Sequence, residues 1–132
     1  MGQEYRRTKT TVSLINYHFV FCPRYRRKVL TGDVEIRFKE ILKNVCEQLE
    51  IIIIAIECDK DHCHLFANAL PTISPSEIMA RVKGVTSRTL RLEFKHLSHL
   101  PSLWTRSYFV STAENVSSET IKRYVEEQKK RG

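Results

Sequence analysis

Glycine is scarce in this chain: four in 132 residues, at positions 2, 32, 84 and 132. A glycine-rich loop that cradles phosphates, of the P-loop or dinucleotide-binding kind, is therefore excluded. No GxSxG elbow is present either, so a serine hydrolase built on that turn is excluded too. The longest apolar run, Ile51 to Ile56, is far too short to cross a bilayer, and no membrane partner is expected. Four cysteines, at 22, 46, 58 and 63, make no CxxC pair, and no signal peptide precedes the first strand. Reduced thiols in a cytoplasmic protein are the economical expectation. Acidic residues are the scarcer charge, 15 against 22 basic ones. The resulting net charge of +7 suits a polyanionic partner, with nucleic acid the leading candidate. At this length one domain, residues 1–132, can bury a proper core without disulfide staples.

After a basic, frayed start (Arg6, Arg7, Lys9), "VSLINYHFVF" alternates. Ile15, Tyr17, Phe19 and Phe21 share a core face, and Asn16 and His18 share a more polar one. Pro23 ends the ladder, and Arg24, Arg26, Arg27 and Lys28 form a compact basic cluster. Val34, Phe38, Ile41, Leu42, Val45 and Leu49 recur at helical spacing, predicting a helix from about Asp33 to Leu49. "IIIIAIEC" reads as a buried strand, and Asp59-Lys60-Asp61 turns it into "DHCHLFANA" as a hairpin. Ser74-Pro75-Ser76-Glu77 is a capping box with proline at the first helical position. The helix it opens should bury Ile78, Val82, Val85, Thr89 and Leu92. Its other side carries Arg81, Arg88, Arg91 and Lys95, with Gly84 in the same stripe. A solvated face and a DNA-contacting face are both open readings of that stripe. "HLSHLPSL" reads as a loop, "WTRSYFVS" as a fourth strand, and Ser117 as the cap of a final helix. The order β-α-β-β-α-β plus a last helix predicts an α+β, ferredoxin-like fold: an antiparallel sheet with helices on one face.

Residues two apart in a strand point to the same side, so His62 and His64 present their imidazoles together, with Cα atoms about 6.6 Å apart. Both can reach one metal ion at nitrogen–metal distances near 2.1 Å. Cys63 points the other way with Leu65, against a zinc knot made from Cys58, His62, Cys63 and His64. Taken alone, HxH describes many ordinary strands. In the last helix, Ile121, Tyr124, Val125 and Gln128 form one stripe at i, i+3, i+4 and i+7. Gln128 sits where an apolar residue would pack better, and a buried amide without partners costs about 1 to 3 kcal/mol. A metal held by His62, His64 and the Gln128 oxygen would satisfy it and set Tyr124 beside open coordination positions.

"YHFVFCPRYRRKVL", "DHCHLF", "LWTRSYFVSTAENVS" and "IKRYVEEQ" resemble, in order and spacing and over nearly the whole chain, the single-tyrosine HUH transposases of the insertion sequence 200/605 group. The resemblance implies that His62, His64 and Gln128 bind a divalent cation, Mg²⁺ or Mn²⁺, and that Tyr124 attacks DNA. Single-stranded DNA with subterminal hairpins would be cleaved and rejoined through a 5′-phosphotyrosine link. It also implies a homodimer in which the tyrosine helix can dock on the partner's histidines, cis and trans both being open. Arg24, Arg26, Arg27 and the Arg81, Arg88, Arg91 and Lys95 stripe are candidates for DNA backbone contact, and His18 a candidate for lining the site. Cys63 stands where a bulkier hydrophobic residue is usual in that family, and Ser107 and Glu114 where glycine is common. The rival readings are a non-catalytic ferredoxin-like module that binds nucleic acid, a domesticated HUH nickase acting on repeated hairpins, and a structural zinc protein.

Overall fold

The structure, a computed structural model, describes residues 4–112 and 118–132. Its centre is a four-stranded antiparallel sheet in the order β4-β5-β3-β6, formed by β3 (Ile15–Phe21), β4 (Ile52–Asp59), β5 (His62–Ala69) and β6 (Phe109–Ser111). Helices α1 (Gly32–Gln48) and α2 (Pro75–Glu93) cover one face, and α3 (Ser118–Glu127) follows the last strand. This is the expected ferredoxin-like α+β arrangement.

Alternation along β3 and β5 divides the sheet into two unlike faces. Phe19, Phe21, Cys63, Leu65, Ala67 and Ala69 are fully buried with the inner stripes of α1 and α2. On the opposite face His64 stands across from Val20, and Val20 across from Phe109. There Val20 and Cys22 pack with Val125 of α3, and with Phe109 and Tyr124, in a second, smaller cluster. A strand contributes every second side chain to each face, so a single sequence builds the main core and the candidate site back to back.

Helix α1 buries Val34, Phe38, Ile41, Leu42, Val45 and Cys46. It closes with Glu50 in the left-handed region, φ 56, and with the Ile51 amide donating to the Cys46 carbonyl at 2.8 Å. Glycine is usual at that position. Here the Arg6 guanidinium holds the Glu50 carbonyl at 2.8 Å. The capping box of α2 is fully formed: Glu77 N donates to Ser74 Oγ and Ser74 N to the Glu77 carboxylate.

Four expectations are corrected. The buried stripe of α2 runs through Ile78, Val82, Thr86 and Leu90, while Leu92 is 81% exposed. A strict i+4 row won because the loop after α2 covers that side: Trp104 Nε1 donates to Thr86 Oγ1 at 2.9 Å, and Thr86 donates on to the Val82 carbonyl. Strand β4 is an edge strand, not a buried one. Ile52 and Ile54 share the face away from the main core and are 52% and 48% exposed, and a bulge follows between Ile53 and Ala55. The fourth strand is confined to Phe109–Ser111, and Trp104 makes only a single bridge to Pro23. The basic start is not frayed either: β1 (Arg6–Arg7) pairs with β2 (Val12–Ser13), and Arg6 reaches Asn68 Oδ1 at 2.9 Å. The expected Ser117 cap and Glu114 lie outside the described residues, as does the Ile121 side chain.

Candidate active site

The β4–β5 hairpin turns at Lys60 and Asp61 and sets His62 and His64 on the open face of the sheet. Their ring centroids are 5.2 Å apart. Each ring is fixed through Nδ1. His62 Nδ1 lies 2.8 Å from Asp61 Oδ1, and His64 Nδ1 lies 3.0 Å from His18 Nε2. A carboxylate only accepts, so His62 carries its proton on Nδ1 and exposes the lone pair of Nε2. His64 has the same tautomer when it donates to His18. Among the described residues neither Nε2 has a hydrogen-bond partner. Two imidazoles held through Nδ1 with Nε2 free form the pattern of metal-ligating histidines, in which the second hydrogen bond sets tautomer and orientation.

Supporting groups continue outward. Asp61 Oδ2 accepts from Arg26 Nε and Nη2 at 3.1 and 2.7 Å. Burial pushes the Asp61 carboxyl up, but the hydrogen bonds from His62 and Arg26 and the Arg26 charge outweigh it and leave it below its usual value. His18 stacks on Phe66 with centroids 4.1 Å apart. Burial lowers the pKa of His18, partly opposed by Glu57. Burial lowers that of His64 as well, helped by the charges of His62 and His18. Both effects favour the neutral rings that a metal requires.

Tyr124 lies on the same side of the sheet but not at the histidines. Phe109 stands between, its ring 6.1 Å from His18 and 6.0 Å from Tyr124. The Tyr124 hydroxyl is 3.0 Å from Ser107 Oγ, and Ser107 Oγ donates to Gln128 Oε1 at 3.0 Å. Gln128 Nε2 donates to the Tyr124 carbonyl at 3.1 Å. Gln128 is 1% exposed, so the buried amide does find polar partners, in Ser107 and its own helix. Burial pushes the Tyr124 phenol up to about 12, against the Ser107 hydrogen bond. The structure thus brings together His62, His64 and His18, and separately Tyr124 and Gln128. Among the described residues no three His, Cys, Asp or Glu side chains gather in a metal-holding group. The histidine pair fits a divalent cation, while Gln128 Oε1 is engaged elsewhere.

The basic candidates divide. The Arg24–Arg26 turn adjoins the end of α3: Tyr25 N donates to the Arg131 carbonyl at 2.7 Å. Tyr25 and Arg26 both take left-handed backbone, φ 57 and 50, which costs a residue with a Cβ roughly 1 to 2 kcal/mol. That conformation carries the Arg26 guanidinium between Asp61 and Glu126, 2.7 Å from the first and 3.5 Å from the second. Arg26 is therefore internal, linking the His62 support to the tyrosine helix, whereas Arg27 lies exposed over the Tyr25 ring. Arg81 and Arg88 are exposed on α2, in the helical layer on the far side of the sheet from His62 and His64. Arg91 is tied to Ser87 and to the Leu100 carbonyl at 3.0 Å. Lys95 lies beyond the helix in a 3₁₀ turn.

Three contributors were missed in the sequence. Asp61 was read only as a turn residue, although a carboxylate beside the first histidine was the available signal. Ser107 carried no signal beyond standing where glycine is common. Lys83 reaches from α2 to the Thr105 and Ser107 carbonyls at 2.5 and 3.1 Å, and burial pushes it down to about 8. It fixes the segment on which Tyr124 rests.

The fold and site so far define an α+β, ferredoxin-like protein with paired imidazoles on the open face of its sheet and a tyrosine on the following helix. Comparison with known proteins makes this specific. The model of the family "Transposase IS200 like" matches residues 11–128, and the chain belongs to that family. It is 28% identical over 128 residues to the ISDra2 transposase TnpA of Deinococcus radiodurans, covering 95% of this chain and 91% of that protein. It is 33% identical over 121 residues to the transposase for insertion sequence element IS200 of Salmonella typhimurium, covering 86% of this chain and 78% of that protein. A crystal structure of a Deinococcus radiodurans protein assigned as a transposase superposes with a TM-score of 0.86 at 28% identity, over 93% of this chain and 97% of that one. The REP-associated tyrosine transposase bound to a REP hairpin shares the fold, with a TM-score of 0.60 at 17% identity, over 94% of this chain and 68% of that one. The protein is thus a transposase by family, acting on DNA. None of its described helices is long and apolar enough to cross a membrane.

Proposed function

We propose that this transposase cleaves and rejoins single-stranded DNA at insertion-sequence ends, with Tyr124 as nucleophile and His62 and His64 as ligands of Mg²⁺ or Mn²⁺. The observation that carries the reading is the pair of imidazoles with centroids 5.2 Å apart, each held through Nδ1 by Asp61 or His18 and each with Nε2 free. When bound there, a divalent ion would draw developing charge from a non-bridging oxygen of the scissile phosphate. The phenol oxygen releases its proton to solvent and forms the new bond to phosphorus, and the 3′ oxygen leaves and takes up a proton. The products are a 5′-phosphotyrosine and a free 3′-hydroxyl. Since one phosphoester replaces another, the hydroxyl can reverse the step at a new junction without ATP.

In its present position Tyr124 is protonated and held by Ser107, and Gln128 is likewise engaged. Attack therefore requires α3 to leave this berth, carrying Tyr124 and Gln128 together to a histidine pair, its own or that of a second copy in a homodimer. Gln128 then becomes available as the third ligand. Subterminal hairpins are the proposed recognition element. Arg24 and Arg27 flank the nucleophile's end of the molecule and are the proposed backbone contacts. Arg81 and Arg88, on the opposite layer, would serve only a DNA segment that wraps around the helices.

The test is to incubate the protein with single-stranded DNA bearing authentic element ends, with and without Mg²⁺ or Mn²⁺. A covalent adduct resistant to denaturant is expected for wild type and absent for Tyr124→Phe. An adduct that survives Tyr124→Phe, or none with authentic ends, would overturn the reading.

A further inference from the structure

Cys58 and Cys63 face each other directly across the β4–β5 hairpin, and their sulfurs are 3.6 Å apart in a thiol–thiol hydrogen bond. Both point to the core side, Cys63 with no exposed surface and Cys58 half-buried. Only Lys60 and Asp61 make the turn. In a hairpin closed by two residues, the pair flanking the turn exchanges hydrogen bonds, and the next pair outward is the closer kind, with Cα atoms about 4.5 Å apart. That separation falls inside the range a disulfide spans. Cys22 and Cys46 are also free, but neither is hydrogen-bonded to another thiol.

We propose that Cys58 and Cys63 are a reversible disulfide site, and that closing it resets the strand carrying His62 and His64. With a hydroperoxide as oxidant, the Cys58 sulfur, the more accessible of the two, attacks the O–O bond and becomes a sulfenic acid as an alcohol or water leaves. The Cys63 sulfur then displaces the hydroxyl, which departs as water. Two thiols lose two electrons and two protons in all, and the peroxide is reduced. A disulfide brings sulfurs to about 2.05 Å, so the pair must close by roughly 1.5 Å from its present 3.6 Å. Cys63 is the residue between the two histidines, so the movement is imposed on the backbone that sets their spacing.

The experiment uses the full chain, folded and reduced, exposed to hydrogen peroxide, blocked with N-ethylmaleimide and then digested with trypsin. Cleavage at Lys60 separates the two cysteines, so peptides 44–60 and 61–81 stay joined only if the bond has formed. A joined pair, lost on adding dithiothreitol, is expected in wild type and in Cys46→Ser and not in Cys58→Ser. Oxidised Cys58 without the joined pair overturns the proposal, as does a link that appears only after denaturation. A second readout follows the histidine ring signals by NMR without metal or DNA. Oxidation should shift those of His62 and His64 in wild type and leave Cys58→Ser unmoved. Unshifted rings in a linked protein would overturn the coupling to the histidine strand, whatever the fate of the proposed DNA chemistry.

Discussion

Replacing Ser107 by alanine removes one hydroxyl that ties together Tyr124 of α3 and Gln128 just beyond it. That oxygen is 3.0 Å from the Tyr124 hydroxyl and donates to Gln128 Oε1 at 3.0 Å. The two losses are unequal. Tyr124 is half-buried and its hydroxyl can turn to solvent, whereas the Gln128 oxygen, in a residue 1% exposed, loses its donor where solvent does not reach. An unsatisfied buried acceptor costs about 1 to 3 kcal/mol. The cost falls on the docked state alone, because an undocked α3 is solvated. At about 1.4 kcal/mol per factor of ten, the docked-to-open equilibrium should shift by roughly 5- to 150-fold. Hydrogen exchange measures this directly: amides of Ser118–Glu127 should exchange faster by that factor in Ser107→Ala, while those of β5 stay as protected as before. Adduct formation with authentic ends should also accelerate, since Tyr124 is released. Unchanged exchange in α3, in a variant whose β5 amides show it to be folded, would refute the claim that Ser107 holds the helix.

Asp61→Asn leaves a turn residue but removes the charge that holds His62 through Nδ1, and Mn²⁺ affinity by titration calorimetry should fall about 10- to 100-fold; unchanged affinity would remove Asp61 from the site. The same substitution tests pH linkage. The Asp61 carboxyl is lower in the folded protein than in the unfolded chain, so its stabilisation is present above the unfolded value near 3.9. That stabilisation is lost as pH falls through the folded value, and urea denaturation of Asp61→Asn should show a shallower loss in acid. Thr86→Val strands the buried indole N–H of Trp104, costing about 1 to 3 kcal/mol in urea midpoint at constant slope. Adding Trp104→Phe to it should cost less than the two single losses summed. The phenol difference spectrum between wild type and Tyr124→Phe should titrate near 12, not near the ordinary 10. The phenol is raised on folding, so its stabilising contribution is intact below about 10 and disappears as pH passes about 12. A midpoint at the ordinary value would mean that Tyr124 is not docked.

How much of this was legible depended on whether a residue's role is set by its neighbours in sequence. The facing of His62 and His64, the capping box at Ser74 and the inner stripe of α1 follow from strand and helix periods, and all three are found in the structure. The exposed Leu92 and the edge position of β4 do not, because they are decided by which segment covers which. Val85–Leu92 spacing is as helical as Thr86–Leu90 spacing, and only the return of Trp104 onto Thr86 selects between them. Four consecutive isoleucines look buried in sequence; sheet order put β4 at the rim, so Ile52 and Ile54 face outward while Ile51 stays in the core. The candidate site divides in the same way. The polar environment of Gln128 was legible as an unmet need of a buried amide, but the partner that meets it, Ser107, is 21 residues away in sequence. Arg26 looked like a free cation and proved internal for the same reason.

The berth of α3 shows how a helix bearing the proposed nucleophile is both ordered and releasable. At ten residues it is shorter than the length at which isolated helices persist in water, so its helicity depends on docking. Among the described residues the apolar part of that docking is small: Val125 against Val20 and Cys22, with Tyr124 and Phe109 at its edge. Polar, directional ties among the described residues include Ser107 to Tyr124 and Gln128 and Arg26 to Glu126. Apolar burial can be replaced only by another apolar surface, but a hydroxyl or guanidinium can exchange its partner for water or a phosphate oxygen at little net cost. A polyanion arriving at the Arg24–Arg27 turn competes for the charge that Glu126 neutralises. Loosening α3 in this way takes nothing from the main core, which lies across the sheet and keeps the histidines in place.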